Sequence, residues 1–185
     1  MISINNKKVY IIAEIGVNHN GSLTRAKKMI KACKVVGADA VKFQTYKAIN
    51  VADTLVSKAE YQKKDNKKDS QYEMLKKYEL NDKDFIILHE YAKELNIDFI
   101  STAVDTISLR FLISKLKLKT IKIGSSDLTN IQLLLKAGRT KKNIIISCGL
   151  ANIDNIDIAL SALCYGYANK DFNFNYKRDQ KLYLK

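Results

Sequence analysis

Two lysines stand inside short apolar runs of the sequence, where a charged side chain is unexpected. Lys42 is flanked by valine and phenylalanine, and Lys122 is flanked by two isoleucines. Burying an ammonium group is costly unless it is paired, so one such lysine by itself could simply extend its head group to the rim of the fold. Two of them, each near the end of its run and accompanied by serine or threonine hydroxyls, instead predict an anion site. These groups together suit a small molecule that carries both a phosphate and a carboxylate.

Other polar side chains lie at the ends of the apolar runs. Glu14 lies at the end of the first run, where it could pair with one of the lysines, accept a hydrogen bond from a sugar hydroxyl or act as an acid or base. Asp127, three residues beyond Gly124, is open to the same interpretations. Cys148 could act as a nucleophile, but no histidine is placed by sequence to activate it. A small buried thiol is therefore the favoured interpretation of Cys148.

These residues belong to a regular alternation of β-branched runs and amphipathic segments. The predicted strands are residues 9–15, 40–44, 98–102, 120–124 and 143–147. The helices predicted after them are residues 23–36, 82–95 with Asn81 as the N-cap, 106–116, 130–137 and 152–165. Every predicted strand has a polar residue near its carboxyl end. The active sites of parallel barrels lie at the carboxyl ends of their strands.

Five β-α units in succession predict a parallel sheet, either a doubly wound open sheet or a (β/α)8 barrel. The chain leaves its first strand through EIGVNHNGS, which lacks the GxGxxG of a dinucleotide-binding turn, so the barrel is favoured. A whole barrel typically has eight strands and about 250 residues. This chain has 185 residues. The prediction is therefore a barrel truncated to about five β-α units over residues 1–168, followed by a tail, residues 169–185, that leads towards a sixth strand.

The polar connection over residues 45–80 is long for a compact domain. It is interpreted either as a functional lid or as a solvated, lysine-rich insertion. Part of it, residues 70–78, is predicted to be helical.

The composition argues against several classes of protein. The net charge is +13, but the excess is lysine spread along the chain, without a zinc finger, a base-reading helix or an RNA-binding aromatic motif, so no nucleic-acid partner is expected. No apolar run is long enough to span a bilayer, and no signal peptide is recognised, so a cytoplasmic protein without a membrane partner is expected. Three cysteines without CxxC spacing predict reduced thiols. Two histidines, His19 and His89, are too few for a histidine-rich metal cluster.

The segments that carry the polar strand ends resemble, taken together, those of one enzyme family. IIAEIGVNHNGSLTRAKKMI followed by GADAVKFQTY resembles the opening of the sialic-acid synthase family, which includes N-acetylneuraminate, legionaminate and pseudaminate synthases. IDFISTAVD, TIKIGSSDLTN and KNIIISCGLANIDNIDIAL continue the resemblance in order, over about residues 9–163. The pair EIGxNHNG and KFQ is its most specific part.

This resemblance implies a (β/α)8 barrel followed by a small antifreeze-like domain, in a swapped homodimer. It also implies that phosphoenolpyruvate is added to the open-chain aldehyde of an N-acetylated amino sugar, with release of phosphate, while a divalent metal, Mn or Mg, activates the aldehyde. The positions that match the family's phosphoenolpyruvate-binding residues are Lys42, Thr102, Lys122, Ser125 and Ser147. Glu14 and Gln44 match positions that face the sugar or the reacting centre. Asp127 falls where the family usually has a glutamate proposed as acid/base, so Glu14 and Asp127 are the expected catalytic residues.

Several positions depart from the family pattern. Its GSGE is GSSD here, which shortens the presumed acid/base carboxylate by one methylene; STPF is STAV, STGM is SCGL, and the chain contains no proline. The family's metal-binding histidines lie on later strands and its sugar-binding arginine in the antifreeze-like domain, so no metal ligand is predicted in this chain. A five-stranded part of a barrel would expose unpaired strand edges. The chain alone is therefore expected to be inactive.

Two other functions stay open on the sequence, and the sugar is not specified. One is a related phosphoenolpyruvate-dependent synthase, such as 3-deoxy-octulosonate-phosphate synthase, which would be expected to carry more basic residues for a phosphosugar; EIGxNHNG favours the sialic-acid branch. The other is a non-catalytic remnant, or a chain that binds a full-length synthase.

Overall fold

The computed structural model describes residues 9–52, 70–168 and 174–179. The strands are β1 (Ile12–Gly16), β2 (Ala40–Thr45), β3 (Asp98–Ala103), β4 (Thr120–Ile123) and β5 (Asn143–Ile146). The helices are α1 (Leu23–Val35), α2 (Ala48–Val51), α3 (Gln71–Tyr78), α4 (Asp82–Glu94), α5 (Thr106–Ser114), α6 (Ile131–Arg139), α7 (Ile153–Tyr167) and α8 (Tyr176–Asp179). The predicted strands and helices are confirmed; the short α2 and α8 were not predicted. None of the described helices is long and apolar enough to cross a membrane.

The five strands form one sheet in the order β1-β2-β3-β4-β5, and β1·β2, β3·β4 and β4·β5 are parallel pairs. A doubly wound sheet contains a switch point at which the strand order reverses. No reversal occurs among these five strands, so the doubly wound alternative is wrong for them. The described residues form two compact units that divide between residues 100 and 101, within β3.

The first unit has a core of aromatic rings around Phe43. The ring of Phe43 stacks on that of Phe99, with 5.0 Å between centroids, and meets Phe85 edge-on at 6.4 Å. Val41 and Phe43 are fully buried. Strands of parallel sheets are commonly buried on both faces, which explains why β2 is apolar apart from Lys42 and its last residues.

The chain before β1 was predicted to be strand from residue 9, but β1 begins three residues later. The backbone N–H of Ile11 donates to Asp39 Oδ2 at 2.8 Å, and the Tyr10 hydroxyl donates to Asp98. The side chain of Val9 is largely exposed. The carbonyl of Ile11 accepts from the N–H of Ala40 on β2 at 3.1 Å, but its N–H bonds to a carboxylate, and the regular ladder starts at Ile12.

Side-chain caps explain where the helices of the first unit begin. Asn81 accepts a hydrogen bond from the backbone N–H of Asp84 at 3.0 Å, and Asp84 accepts one from the N–H of Asn81 at 3.3 Å. Ser70 and Glu73 form the same reciprocal pair at the start of α3. Such pairs satisfy N–H groups that the first turn of a helix leaves without partners. The predicted N-cap of α4 is confirmed.

The described part of the long connection is packed against the first unit. The Tyr46 hydroxyl donates to the backbone carbonyl of Leu75 in α3 at 3.0 Å. The carbonyl of Lys77 lies so close to Gly21 that a side chain there would collide with it. α3 therefore contacts both the turn after β1 and the segment after β2. Residues 53–69 of the connection lie outside the described residues.

In the second unit, α6 and α7 cross at a pair of glycines. A side chain on Gly138 would collide with the backbone of α7 at Leu163 and Tyr167, and a side chain on Gly166 would collide with the backbone of α6 at Leu135. The two helices therefore touch through their backbones, and neither glycine can be enlarged without moving a whole helix.

We expect Gly138→Ala and Gly166→Ala each to lower the free energy of unfolding by about 1–3 kcal/mol, the usual cost of overpacking a core. Urea unfolding followed by circular dichroism measures this loss. Gly149→Ala is the matched control in the same unit, because a methyl group there would make ordinary contacts at 3.5 Å. Equal stability of Gly138→Ala and Gly149→Ala would contradict the close crossing.

Candidate active site

Glu14 and Lys42 form an ion pair in the first unit. The two residues lie opposite each other on the parallel strands β1 and β2, with 2.5 Å between Glu14 Oε2 and Lys42 Nζ. The lysine side chain is 7% exposed, whereas the glutamate side chain is 55% exposed. The glutamate thus brings a counter-charge from the solvent side to an ammonium group whose burial alone would be costly. Of the interpretations kept open for Glu14, pairing with a lysine is present in the structure.

Gly16 leaves space for this ion pair and for Gln44. The register of β1 on β2 shifts between Glu14 and Gly16, and Gly16 has a φ of +56°, a conformation that favours glycine. A methyl group on Gly16 would be 3.1 Å from Glu14 Oε1 and 3.8 Å from Gln44 Nε2. The carboxylate and the amide therefore lie beside the same space.

A buried histidine, His19, secures the turn after β1. His19 is 1% exposed, its Nδ1 accepts a hydrogen bond from the N–H of Gly21 at 3.1 Å, and its ring stacks on Phe43 at 5.9 Å. Burial lowers the pKa of His19, and a hydrogen bond with the backbone of Gly16 offsets part of this effect. Burial therefore favours the neutral form of the ring. Sequence reasoning missed this role; the available signal was the position of His19 between the two glycines of a tight turn.

In the second unit, Lys122 donates a hydrogen bond to the hydroxyl of Ser147. Lys122 lies on β4 directly opposite Thr102 of β3, and Ser147 follows the last residue of β5. The N–H of Ser147 also donates to the carbonyl of Ile123 at 3.2 Å, which holds the residue against β4. Three neighbouring strands thus bring an ammonium group and two hydroxyl groups to one end of the sheet.

After β4 the chain enters a single 3₁₀ turn that contains Asp127. Asp127 Oδ2 accepts a hydrogen bond from the Ser126 hydroxyl at 3.1 Å. A methyl group on Gly124 would be 3.3 Å from that oxygen and 3.8 Å from Thr102 Cγ2. Gly124 therefore allows the carboxylate of Asp127 and the side chain of Thr102 to lie near each other.

The carboxyl group of Asp127 keeps its proton to a higher pH than an ordinary aspartate does. Burial raises its pKa; the hydrogen bond from Ser126 lowers the pKa in part, and the nearby carboxylate of Asp105 raises it again. Asp105 itself accepts hydrogen bonds from Ser108 and from the first N–H groups of α5. A half-buried carboxyl group with a raised pKa is suited to acid/base chemistry.

The loop after β5 contains the candidate thiol. Cys148 is exposed, so the prediction of a small buried thiol is wrong. The chain turns there, with the N–H of Ala151 donating to the carbonyl of Cys148 at 3.1 Å. A methyl group on the adjacent Gly149 would be 3.5 Å from Ser125 Oγ, which places that hydroxyl next to the same loop. All three cysteines are free.

The eight predicted site residues fall into two groups, one in each unit. We call Glu14, Lys42 and Gln44 the first cluster. We call the group in the second unit the second cluster, and its members are Thr102, Lys122, Ser125, Asp127 and Ser147. All lie on, or within four residues of, the carboxyl ends of their strands.

No three histidine, cysteine, aspartate or glutamate side chains come together as a possible metal-binding group within residues 9–52, 70–168 and 174–179. His19 and His89 both pack against phenylalanine rings; the ring of His89 meets that of Phe99 edge-on at 5.6 Å. The described residues therefore do not fit a site for Mn or Mg.

The sequence matches a protein-family model, described as the NeuB family, over residues 29–184. This chain belongs to the NeuB family. Among curated proteins, the NeuB-family chain is 45% identical over 161 residues to the N,N'-diacetyllegionaminic acid synthase of Legionella pneumophila and 46% identical over 165 residues to that of Campylobacter jejuni. The matches cover 86% and 89% of this chain but 45% and 49% of those proteins, so the chain spans about half the length of the curated relatives it matches.

A solved structure resembles the NeuB-family chain over most of its length. It is the N-acetylneuraminic acid synthetase of Leptospira borgpetersenii in complex with citrate, with a TM-score of 0.72 and 32% sequence identity. The similarity covers 87% of this chain and 52% of that one. The resemblance to sialic-acid synthases inferred from the strand-end segments is therefore confirmed.

We expect Asp127→Asn to make the NeuB-family chain more stable than the wild type at pH 7. Because the pKa of Asp127 is raised on folding, its contribution to stability is fully present below the pKa of an unfolded aspartate, about 3.9, and is lost as the pH rises through the folded value. Asparagine does not ionise and avoids this loss. Urea midpoints at pH 7 and pH 4.5 measure the effect, which should shrink at the lower pH.

The exposed Asp154 in the first turn of α7 provides the control for this prediction. Asp154→Asn should bring no gain in stability at either pH. A lower stability of Asp127→Asn than of the wild type at pH 7 would contradict the assigned effect of burial.

Proposed function

We propose that this chain carries the phosphoenolpyruvate-binding part of a nonulosonate synthase, which joins phosphoenolpyruvate to an N-acetylated amino sugar and releases phosphate. The observation that carries the proposal is the hydrogen bond from Lys122 to Ser147, with Thr102 opposite Lys122 on the next strand. A charged ammonium group and hydroxyl donors form strong hydrogen bonds to phosphate oxygens. Membership of the NeuB family supports the reaction class.

In this proposal the second cluster binds and activates the phosphate-bearing substrate. Lys122, Ser125 and Ser147 donate to the phosphate, and they stabilise the charge that remains on it as it leaves. Thr102 adds a hydroxyl donor beside them. Asp127, whose pKa is raised by burial, gives a proton to the aldehyde oxygen of the sugar while C3 of phosphoenolpyruvate bonds to the aldehyde carbon. A water molecule adds at C2 of phosphoenolpyruvate, and the bond from C2 to the phosphate oxygen breaks as phosphate leaves.

The first cluster contributes to both substrates. Lys42 binds an anionic group of phosphoenolpyruvate, since its ammonium group is fixed by a buried strand. Glu14 and Gln44 interact with the sugar or with the reacting centre. An amide can both donate to and accept from hydroxyl groups, and a carboxylate can accept from them, so the pair is chemically suited to a sugar.

The same family resemblance suggests an architecture for the whole protein. We propose a (β/α)8 barrel, with residues 1–168 as its first part and residues 169–185 leading to its sixth strand. The sequential strand order and the similarity to the Leptospira synthetase support it. On the basis of the resemblance we also propose an antifreeze-like domain, a homodimer and a cytoplasmic location. Mn or Mg, when bound, would activate the aldehyde, but the described residues do not fit its site.

The sugar is proposed to be a diacetylated one, as in the synthesis of legionaminic acid. Two relatives with 45% and 46% identity are N,N'-diacetyllegionaminic acid synthases. Their identity to this chain exceeds that of the Leptospira N-acetylneuraminic acid synthetase, at 32%. This difference favours legionaminate over neuraminate as the class of product.

We expect Lys122→Met to weaken the binding of phosphoenolpyruvate by about tenfold or more. A hydrogen bond to a charged group contributes about 1.5–3 kcal/mol, and about 1.4 kcal/mol corresponds to a factor of ten in affinity. Titration of the 185-residue chain with phosphoenolpyruvate, followed by ³¹P NMR, measures the dissociation constant. Lys119→Met, an exposed lysine just before β4, should bind like the wild type. Unchanged binding by Lys122→Met would contradict the assignment of Lys122 to the phosphate site.

A chimera tests the reaction itself. The 161 residues matched in the Legionella synthase are replaced by those of this chain, and phosphate release is measured with phosphoenolpyruvate, Mn²⁺ and either a diacetylated or a monoacetylated amino sugar. We expect turnover with at least one of these sugars, faster with the diacetylated one, and its loss in Asp127→Ala. A folded chimera that releases no phosphate with either sugar would refute the proposed function.

A further inference from the structure

The two partners of the Glu14–Lys42 ion pair are held very differently. Lys42 lies in the middle of β2, a strand buried along most of its length, and only 7% of its side chain is exposed. Glu14 lies on β1 with more than half of its side chain exposed. Within this pair the lysine is the fixed charge, and the glutamate is the side chain with room to move.

This asymmetry determines how an anion can reach Lys42. The exposed part of the lysine side chain is small, and Glu14 Oε2 lies 2.5 Å from its Nζ, on the side from which the largely exposed glutamate approaches. An anionic ligand must also come from the solvent side, because the rest of the lysine is covered by protein. A ligand and the Glu14 carboxylate therefore require the same face of one ammonium group.

The carboxylate has an alternative position within reach. Gly16 has no side chain, and the point where its Cβ would lie is 3.1 Å from Glu14 Oε1 and 3.8 Å from Gln44 Nε2. An amide nitrogen is a hydrogen-bond donor that a carboxylate accepts from readily. A rotation of the glutamate side chain through the space beside Gly16 would therefore let its carboxylate exchange the ammonium group of Lys42 for the amide of Gln44.

From these observations we propose that Glu14 competes with the anionic substrate for Lys42, so that binding of the substrate exchanges an internal carboxylate for an external one. This inference rests on the proposed function, in which Lys42 binds an anionic group of phosphoenolpyruvate. Competition makes Glu14 a specificity-determining residue. It prevents weakly bound monoanions from occupying the lysine, and it moves the carboxylate towards Gln44 when a stronger anion arrives.

The test is the sign of the effect of Glu14→Gln on anion affinity. Glutamine keeps the size of the side chain but carries no charge, and Glu14 is exposed, so the variant should fold; circular dichroism checks this. Phosphoenolpyruvate is titrated into the 185-residue chain and followed by ³¹P NMR. Competition predicts that it binds roughly fivefold more tightly to Glu14→Gln than to the wild type, since a carboxylate that competes for the ammonium group has been removed.

Two further variants separate the possible outcomes. Glu90→Gln removes an equally negative, exposed side chain that pairs with Lys93 in α4, and it should leave the affinity for phosphoenolpyruvate unchanged. Lys42→Met removes the ammonium group and should weaken binding of phosphoenolpyruvate in the wild-type and in the Glu14→Gln background.

Unchanged or weaker binding by Glu14→Gln, together with loss of binding in Lys42→Met, would overturn the competition and leave the proposed phosphoenolpyruvate site intact. Tighter binding by Glu14→Gln and by Glu90→Gln alike would reduce the effect to net charge and also overturn it. Binding by Lys42→Met equal to that of the wild type would overturn both this inference and the proposed role of Lys42.

Discussion

A lysine within an apolar parallel strand needs polar or charged partners for its ammonium group. This requirement explains the composition of both clusters. An unpaired ammonium group in a protein interior loses its hydration without compensation. Lys42 meets the requirement with Glu14, which lies opposite it on the neighbouring strand. Lys122 donates to Ser147, at the end of the adjoining strand. Two apolar strands can therefore carry cations only because the strands beside them end in polar side chains.

The glycines near these lysines follow from the same requirement. Gly16 has a positive φ and no side chain, and any larger residue would press against the carboxylate that neutralises Lys42. Gly124 plays a similar part beside Asp127 and Thr102. Small residues at the carboxyl ends of the strands thus make space for charged groups, whereas Gly138 and Gly166 make space for the crossing of α6 and α7. Gly16 and Gly124 thus leave space for polar side chains, and Gly138 and Gly166 allow two helices to pack closely.

Much of this arrangement was predictable from local sequence, because local interactions decide it. The start of α4 follows from Asn81 and Asp84, which satisfy the first N–H groups of the helix by themselves. The strands follow from β-branched runs, and α3 follows from its capping serine, Ser70. Cys148 shows the limit of such reasoning: its apolar character suggested burial, but the residue lies in the loop after β5, where its thiol is exposed.

The sequence by itself determined the alternation of strands and helices, the family and the identity of the polar residues at the strand ends, since each depends on residue types and spacing along the chain. Only the tertiary structure decided which of those residues meet. The pairing of Lys42 with Glu14 depends on the register of β1 against β2, and the raised pKa of Asp127 depends on its burial and on Asp105, a residue in another loop. The role of His19 also needed the fold, because its partners are a backbone N–H in its own turn and a ring on a different strand. Strand register, burial and the geometry of a turn set these properties, and no spacing along a single strand can report them.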